Sequence, residues 1–348
     1  MAGEEERQSR LRIRFTPRTL HLKRPFTLAR SSRTTTPVML VEVEHDGVVG
    51  HGEAAMPPYL GESHETASAF LSQIDLRPFH DPFRIDDIIT HVDRIAPGNT
   101  AAKAAVDIAL HDLVGRLIGH PWYRLLGLSR ESAPPTSYTI AIDTPEGVRA
   151  RVCEAAGFKV LKLKMSQTHH LDLARAMRDV SAVPFTADAN GGWGDREEAL
   201  DRIHQLAAMG CTQIEQPFDP ARRDDHAWLT DRSPVPVFGD EGVRRLPDVR
   251  DAVGVYSGVN VKLMKCAGMR EGLQMITTAK ALGLRVMIGC MTETSCAVSA
   301  AAHLAPLVEG ADLDGPLLIK DDPFEGAELV DGVMTPLDAP GIGVRLRP

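Results

Sequence analysis

Five polar residues recur along the middle of the chain at steps of 24, 27, 25 and 22 positions: Lys164, Asp188, Glu215, Asp240 and Lys262. Each closes a short apolar or β-branched run, such as Val183-Pro184-Phe185-Thr186 or Val259-Asn260-Val261. A second lysine, Lys162, lies two residues before Lys164, so on an extended strand both amines face the same way. Leu161, Leu163 and Met165 would take the other face. Three carboxylates converging on one spot repel one another unless a hard divalent cation holds them together. Oxygen-only ligation with room for water or substrate suits Mg²⁺. Asp188, Glu215 and Asp240 are therefore the expected metal ligands. Asn190 shares the face of Asp188 and would touch a ligand or water, and Glu241 would orient its neighbours. Two amines crowded at one strand end should lower each other's pKa, and a lysine so lowered can act as a base near neutral pH. Lys265, three residues past Lys262, reads as a solvent-side loop residue.

The spacing also names the scaffold that must position these groups. One strand–helix unit takes up about this much chain when a parallel barrel of about 250 residues is divided among eight units. The carboxyl ends of the strands of such barrels carry the active site. From residue 137 onward strands and helices alternate, with strands expected at 138–142, 285–289 and from 311. Helices are expected at 145–156, 173–180, 196–209, 247–253 and 269–282. Lys262 then falls on the sixth strand and Lys164 on the second, so amines on opposite walls can approach one carbon from both sides. That arrangement removes a proton from one face and returns one to the other.

Before residue 134 the pattern differs. Strands are expected at 11–15, 35–44 and 48–53, with a turn at Asp46-Gly47 and a polar loop at 25–33. A further loop follows at 56–61, and helical patterning covers 64–75, 84–95 and, most clearly, 100–117. Gly50-His51-Gly52 reads as a turn and His169-His170 as a loop. The chain is thus read as α/β: a modified TIM barrel, (β/α)7β, with an α+β capping domain. The capping domain takes 1–133, the barrel takes 134–322, and 323–348 folds back onto the cap. Pro134-Pro135 marks the boundary, and residues 1–10 read as a disordered leader.

Bulk properties narrow the class. The 348 residues are 43% apolar with a net charge of −8, which argues against a nucleic-acid surface. Five cysteines without a CxxC pair argue against a disulfide framework or a structural zinc site. With no signal-peptide pattern and no run of 18 apolar residues, a cytoplasmic protein away from membranes is expected.

Together, Lys162-Leu163-Lys164, Asp188-Ala189-Asn190, Glu215-Gln216-Pro217, Asp240-Glu241 and Asn260-Val261-Lys262-Leu263-Met264-Lys265 resemble the muconate-lactonizing branch of the enolase superfamily. Asp312-Leu313-Asp314 resembles the Asp-x-Asp element of the dipeptide epimerases in that branch, whose acids hold the substrate's α-ammonium group. The resemblance implies a Mg²⁺-dependent epimerase of dipeptides that inverts the α-carbon of the second residue through an enolate. Lys164 and Lys262 would be the acid/base pair and Lys162 an electrostatic helper. Thr139, Cys290, Met291 and Thr292 would line the dipeptide site, with Cys290 a small wall residue and no nucleophile. Arg33 resembles the arginine that binds glutamate in Ala-Glu epimerases, with Arg30 a competitor for that role. A small-molecule substrate and a homo-oligomer are expected. Muconate cycloisomerase, o-succinylbenzoate synthase and N-acylamino acid racemase are same-branch alternatives. A non-catalytic binding protein on the same scaffold is the alternative from another class.

Overall fold

The computed structural model describes residues 10–28, 31–165 and 170–348. The leader before Arg10, Arg30 and His169 lie outside that set. Three strands open the chain: β1 (Arg12–Leu28), β2 (Ser31–His45) and β3 (Val48–Ala55), paired antiparallel in the order β1-β2-β3. Asp46 and Gly47 both take positive φ (51° and 77°), as a tight hairpin turn requires. The loop expected at 25–33 is instead the far end of the β1–β2 hairpin, where Phe26 pairs with Arg33 and Leu28 with Ser31. Its polar composition conceals the strands. The register shifts between His21 and Phe26, a stretch that contains Pro25, which has no N–H to give a ladder.

Helices α1 (His64–Leu71) and α3 (Thr100–Ile118) pack on this sheet, and α2 (Ile85–Ile95) packs on α3. α3 is buried from Ala101 through Gly115, which explains its alanine-rich sequence: it lies between the sheet and the barrel with little room on any side. Gly50 and Gly52 lie in β3 and not in a turn. A Cβ at either would overlap the carbonyl oxygen of Ala109 or Ala105 on α3, so these glycines let helix and strand approach. After a short helix α4 (Trp122–Leu125) the chain enters the barrel.

The barrel runs β4 (Ser137–Ile140), α5 (Pro145–Glu154), β5 (Val160–Lys164), α6 (His170–Arg178), β6 (Phe185–Asp188), α7 (Arg196–Ala208), β7 (Cys211–Glu215), α8 (Arg223–Arg232) and β8 (Val237–Gly239). It continues through α9 (Leu246–Asp251), β9 (Gly258–Lys262), α10 (Met269–Ala281), β10 (Arg285–Gly289), α11 (Ser295–Ala302) and β11 (Gly310–Asp312). All eight strands are parallel and in sequence order, and a Thr136–Ala311 bridge brings the two end strands together. Eight strands and seven intervening helices make the expected (β/α)7β barrel with its cap. Two helices, α8 and α11, carry no legible pattern. α8 buries only His226 and Leu229, and α11 (Ser-Cys-Ala-Val-Ser-Ala-Ala-Ala) is buried on all sides, so neither shows an apolar stripe.

Beyond the barrel, short strands pair as Phe324–Glu325 with Arg345–Leu346 and Glu328–Val330 with Val333–Thr335. The last segment meets α3 and α4: Ile342 N donates to Asp112 Oδ1 (2.9 Å), Trp122 N to Gly341 O (3.2 Å) and Tyr123 OH to Asp338 (2.7 Å). One apolar cluster runs unbroken from the capping sheet through α3 to β8–β11, and a second fills the β4–β7 side. Cap and half the barrel therefore share a core, which fixes their relative position. No helix among the described residues is long and apolar enough to cross a membrane.

The β3–α3 contact sets the cap's geometry. Gly52→Ala should lower unfolding free energy by about 3 kcal/mol, because backbone on both sides must shift; the urea midpoint reads this directly.

Candidate active site

Parallel pairing places the polar strand ends level with one another. Lys164 sits opposite Asp188 and Asp188 opposite Glu215, while Lys262 sits opposite Gly289 and Gly289 opposite Asp312. β5 and β9 stand four places apart in a ring of eight, so Lys164 and Lys262 rise from opposite walls. Both line a cavity of about 480 Å³, as do Thr139, Asn190, Asp240, Cys290, Met291, Thr292, Asp312, Asp314 and Arg33. Lys162, Asp188 and Glu215 lie beneath that lining, at most 1% exposed.

Carboxylate oxygens of Asp188, Glu215 and Asp240 lie within 4.8 Å of one another. Lysines surround them. Lys162 Nζ lies 2.8 Å from Asp312, 2.8 Å from Glu215 and 3.0 Å from Asp188. Lys164 Nζ donates to Asp188 Oδ2 (2.6 Å) and Lys262 Nζ to Asp240 Oδ2 (2.7 Å). The two lysines on opposite walls thus each hold a different acid of the trio. Asn260 Nδ2 donates to Glu215 Oε1 (2.9 Å), whereas Glu215 Oε2 accepts no hydrogen bond, its 2.8 Å approach to Lys162 being poorly angled. A buried carboxylate oxygen without a donor beside two further carboxylates is what an all-oxygen site for a hard cation provides.

The charges shape one another. Burial pushes Asp188 up, but Lys164 and Lys162 outweigh it and hold the group at about 2. Glu215 goes the other way, to about 7, through burial and the nearby Asp188. Burial alone would lower the Lys162 ammonium; Asp312, Glu215 and Asp188 raise it well above the usual lysine range. The expectation that crowded amines depress Lys162 is therefore corrected: its neighbours are chiefly acids. A divalent cation among the same acids opposes this, since its charge repels the ammonium.

Lys265 is a second correction. It is wholly buried and not on the solvent side: its Nζ donates to Asp240 Oδ1 (2.5 Å), Asp240 O (2.6 Å) and Asn260 O (2.8 Å). Gln216, quoted in the Glu215-Gln216-Pro217 motif but given no role there, has positive φ (37°), and its side-chain oxygen accepts from Asp240 N (2.9 Å) and Gly242 N (3.1 Å). Lys265 and Gln216 together fix Asp240 after its strand ends. Asn190 N donates to Asp188 Oδ1 (2.9 Å), and its amide reaches Glu241 Oε1 (3.1 Å).

At the other end of the bowl Asp312 accepts from Lys162 (2.8 Å) and Ser137 Oγ (2.6 Å), and Asp314 accepts from Thr139 N (2.6 Å). Burial pushes Asp312 up, but Lys162 wins and keeps it below the usual range. Asp314 rises to about 7 through burial and the negative charge of Asp312. Cys290 accepts from Gly315 N (3.3 Å), and burial together with Glu293 pushes its thiol well up, the opposite of an activated nucleophile. Arg33 lies over the Phe26 ring (5.7 Å) and donates to Thr292 Oγ1 (3.0 Å). Tyr59, from the 56–61 loop, points its hydroxyl at Met291 Sδ (3.5 Å), and Arg244 lies over its ring (5.6 Å). Tyr59 and Arg244 had no motif to mark them.

Residues 11–127 match the family model described as "Mandelate racemase / muconate lactonizing enzyme, N-terminal domain", and residues 147–348 match "Enolase C-terminal domain-like". The L-Ala-D/L-Glu epimerase of Bacteroides thetaiotaomicron is 53% identical over 336 residues, covering 96% of this chain and 88% of that protein. A dipeptide epimerase from Cytophaga hutchinsonii, solved with Mg and D-Ala-L-Val, superposes with a TM-score of 0.90 at 25% identity, covering 97% of this chain and 96% of that one. An N-succinyl Arg/Lys racemase from Bacillus cereus superposes as well, with a TM-score of 0.90 at 26% identity, covering 97% of this chain and 95% of that one.

Lys265→Met would leave Asp240 Oδ1 without the ammonium and take one donor from each of the Asp240 and Asn260 carbonyls, of which Asp240 O keeps Val243 N (3.1 Å). Breaking such a buried pair should cost about 3–5 kcal/mol of stability, visible as a large fall in Tm.

Proposed function

The chain belongs to the mandelate racemase / muconate lactonizing enzyme family and is an isomerase, and we propose that it is a dipeptide epimerase working by two-base proton transfer at the α-carbon of the second residue. The observation that carries this reading is the placement of Lys164 and Lys262 on opposite walls of one cavity. With the α-carbon between them, the neutral lysine takes the proton from one face and the ammonium on the far side returns one to the other. After each turnover the two have exchanged protonation states, so the pair is set for the reverse reaction. Asp188, Glu215 and Asp240 would hold Mg²⁺, which when bound supplies positive charge for the carboxylate oxygens as the enolate develops. Lys162 adds a fixed positive charge beneath the site. Asp312 and Asp314 would take the substrate's α-ammonium, fixing which carbon faces the lysines.

Arg33, held at the cavity by Thr292, supports an acidic side chain on the second residue, in keeping with the glutamate in the name of the Bacteroides relative. Substrates of the cycloisomerases and o-succinylbenzoate synthases carry no amine, and in those of the N-acylamino acid racemases the α-amine is acylated, so a buried pair of acids would meet no α-ammonium in them. Family membership among enzymes answers the alternative of a pure binding protein.

Chiral analysis of a dipeptide panel tests the activity. L-Ala-L-Glu should be converted to a mixture with L-Ala-D-Glu, conversion should fall below about 1% of its rate after EDTA, and Mg²⁺ should restore it; no inversion of any dipeptide removes the reading.

The raised Asp314 pKa sets a pH dependence. Below about 7 this carboxyl gains a proton and loses its attraction for the ammonium, so KM should rise as pH falls from 8 to 6. Asp314→Asn should raise KM for dipeptides by about tenfold or more and flatten that profile.

A further inference from the structure

One sheet of the cap grips one loop of the barrel at two points. Arg33 on β2 donates to the Thr292 hydroxyl at 3.0 Å. Glu53 on β3, wholly buried, accepts from Thr294 N at 3.0 Å, from the Thr294 hydroxyl, and from Ala297 N at 3.3 Å. β2 and β3 are paired, with Leu40 opposite Glu53, so both grips belong to a single rigid piece. The gripped residues lie two apart in the 290–294 loop, which leaves β10 and enters α11. Thr294 is the N-cap of α11 and accepts from Cys296 N at 3.1 Å. Glu53 thus places a carboxylate against the amino end of that helix, where orphan N–H groups and the helix dipole favour it. Cys290, Met291 and Thr292 of the same loop form a wall of the cavity.

Three other acids bear on this geometry, and one of them, the buried Glu293, sits in the loop itself, where burial and the charge of Glu53 push its carboxyl up. Asp322 accepts from Ser295 N (2.9 Å) and Ser295 Oγ (2.7 Å) at the same helix end; it comes from the C-terminal segment, which is itself tied to β1 by the Leu22–Ile319 bridge and by His21 N donating to Asp321 (2.8 Å), and it does not touch Thr292 or Thr294. Asp107 on α3 accepts from Met269 N and Arg270 N at the start of α10, a second anchor of cap to barrel that does not touch the 290–294 loop.

We propose that Glu53 is a positioning residue for substrate selectivity: by holding Thr294 and α11 in place from the cap, it keeps Thr292 where it fixes Arg33 against the side chain of the second residue. It touches no substrate and acts through the loop. The inference rests on the dipeptide reading above and deepens it, because it assigns discrimination among dipeptides to a residue outside the cavity.

The test is the ratio of kcat/KM for L-Ala-L-Glu to that for L-Ala-L-Leu. A variant that merely loses folded protein lowers both values together and leaves the ratio unchanged. Glu53→Gln puts an amide N–H₂ or a weaker acceptor against the same donors and should lower the ratio about fivefold or more. Thr294→Val, which removes the hydroxyl and leaves Glu53 in place, should lower it in the same direction if Glu53→Gln proves insoluble. Thr292→Val should lower it too, and Glu53→Gln added to Thr292→Val should lower it no further. Asp107→Asn, which loosens the other anchor, should leave it within twofold. A ratio within twofold of wild type in both Glu53→Gln and Thr294→Val overturns the inference, as does a wild-type enzyme that turns over both dipeptides without preference. A wild type that epimerises neither dipeptide, nor any other, instead overturns the functional reading.

Discussion

Three buried carboxylates within 4.8 Å of one another, Asp240 at the cavity wall and Asp188 and Glu215 beneath it, repel strongly, and their compensation organises the rest of the molecule. Each is met by amines or amides from other parts of the barrel: Asp188 by Lys162 and Lys164, Glu215 by Lys162 and Asn260, Asp240 by Lys262 and by Lys265 just beyond β9. Such matching is possible only where parallel strands end level, which the registers of Lys164, Asp188 and Glu215 provide. Asp240 falls one residue past its strand, and there Gln216 and Lys265 do the work of the missing ladder. The barrel's closure therefore matters to chemistry as well as to stability. Opening it would separate charges that are tolerable only together.

The same compensation leaves two amines where they can act. Lys162 is surrounded by acids and lies under the floor, a fixed charge. Lys164 and Lys262 hold one acid each and face the cavity from opposite walls. The cap completes the volume. It is fastened to the barrel by a shared apolar core and by acids set against the starts of α10 and α11, so its side chains meet the cavity at fixed places.

Much of this was legible in the sequence because a barrel repeats its unit at near-constant length. Polar residues that end apolar runs at that interval, from Lys164 to Lys262, disclose both the strands and the direction they point. Asp312 and Asp314 were legible by resemblance to a motif. What the chain concealed has physical reasons. Lys265 looks like any loop lysine, because its burial depends on Asp240 and Asn260, which only the fold brings near. Gln216 and Glu53 act through backbone N–H groups, and those leave no side-chain signature. α11 is apolar all round and α8 barely so, which erases the period a helix normally shows. Gly50 and Gly52 read as a turn in isolation, whereas their role is to admit α3.

The central claim is that the two lysines work on opposite faces of one carbon. Epimerisation begun in D₂O from protiated dipeptide, with product isolated within the first few per cent of conversion, tests it most directly. Opposed lysines predict product carrying deuterium at the inverted carbon from the first turnovers, since the returning proton comes from an amine already equilibrated with solvent. Product that keeps the original protium would mean that a single group carries the proton from one face to the other, and would contradict the account.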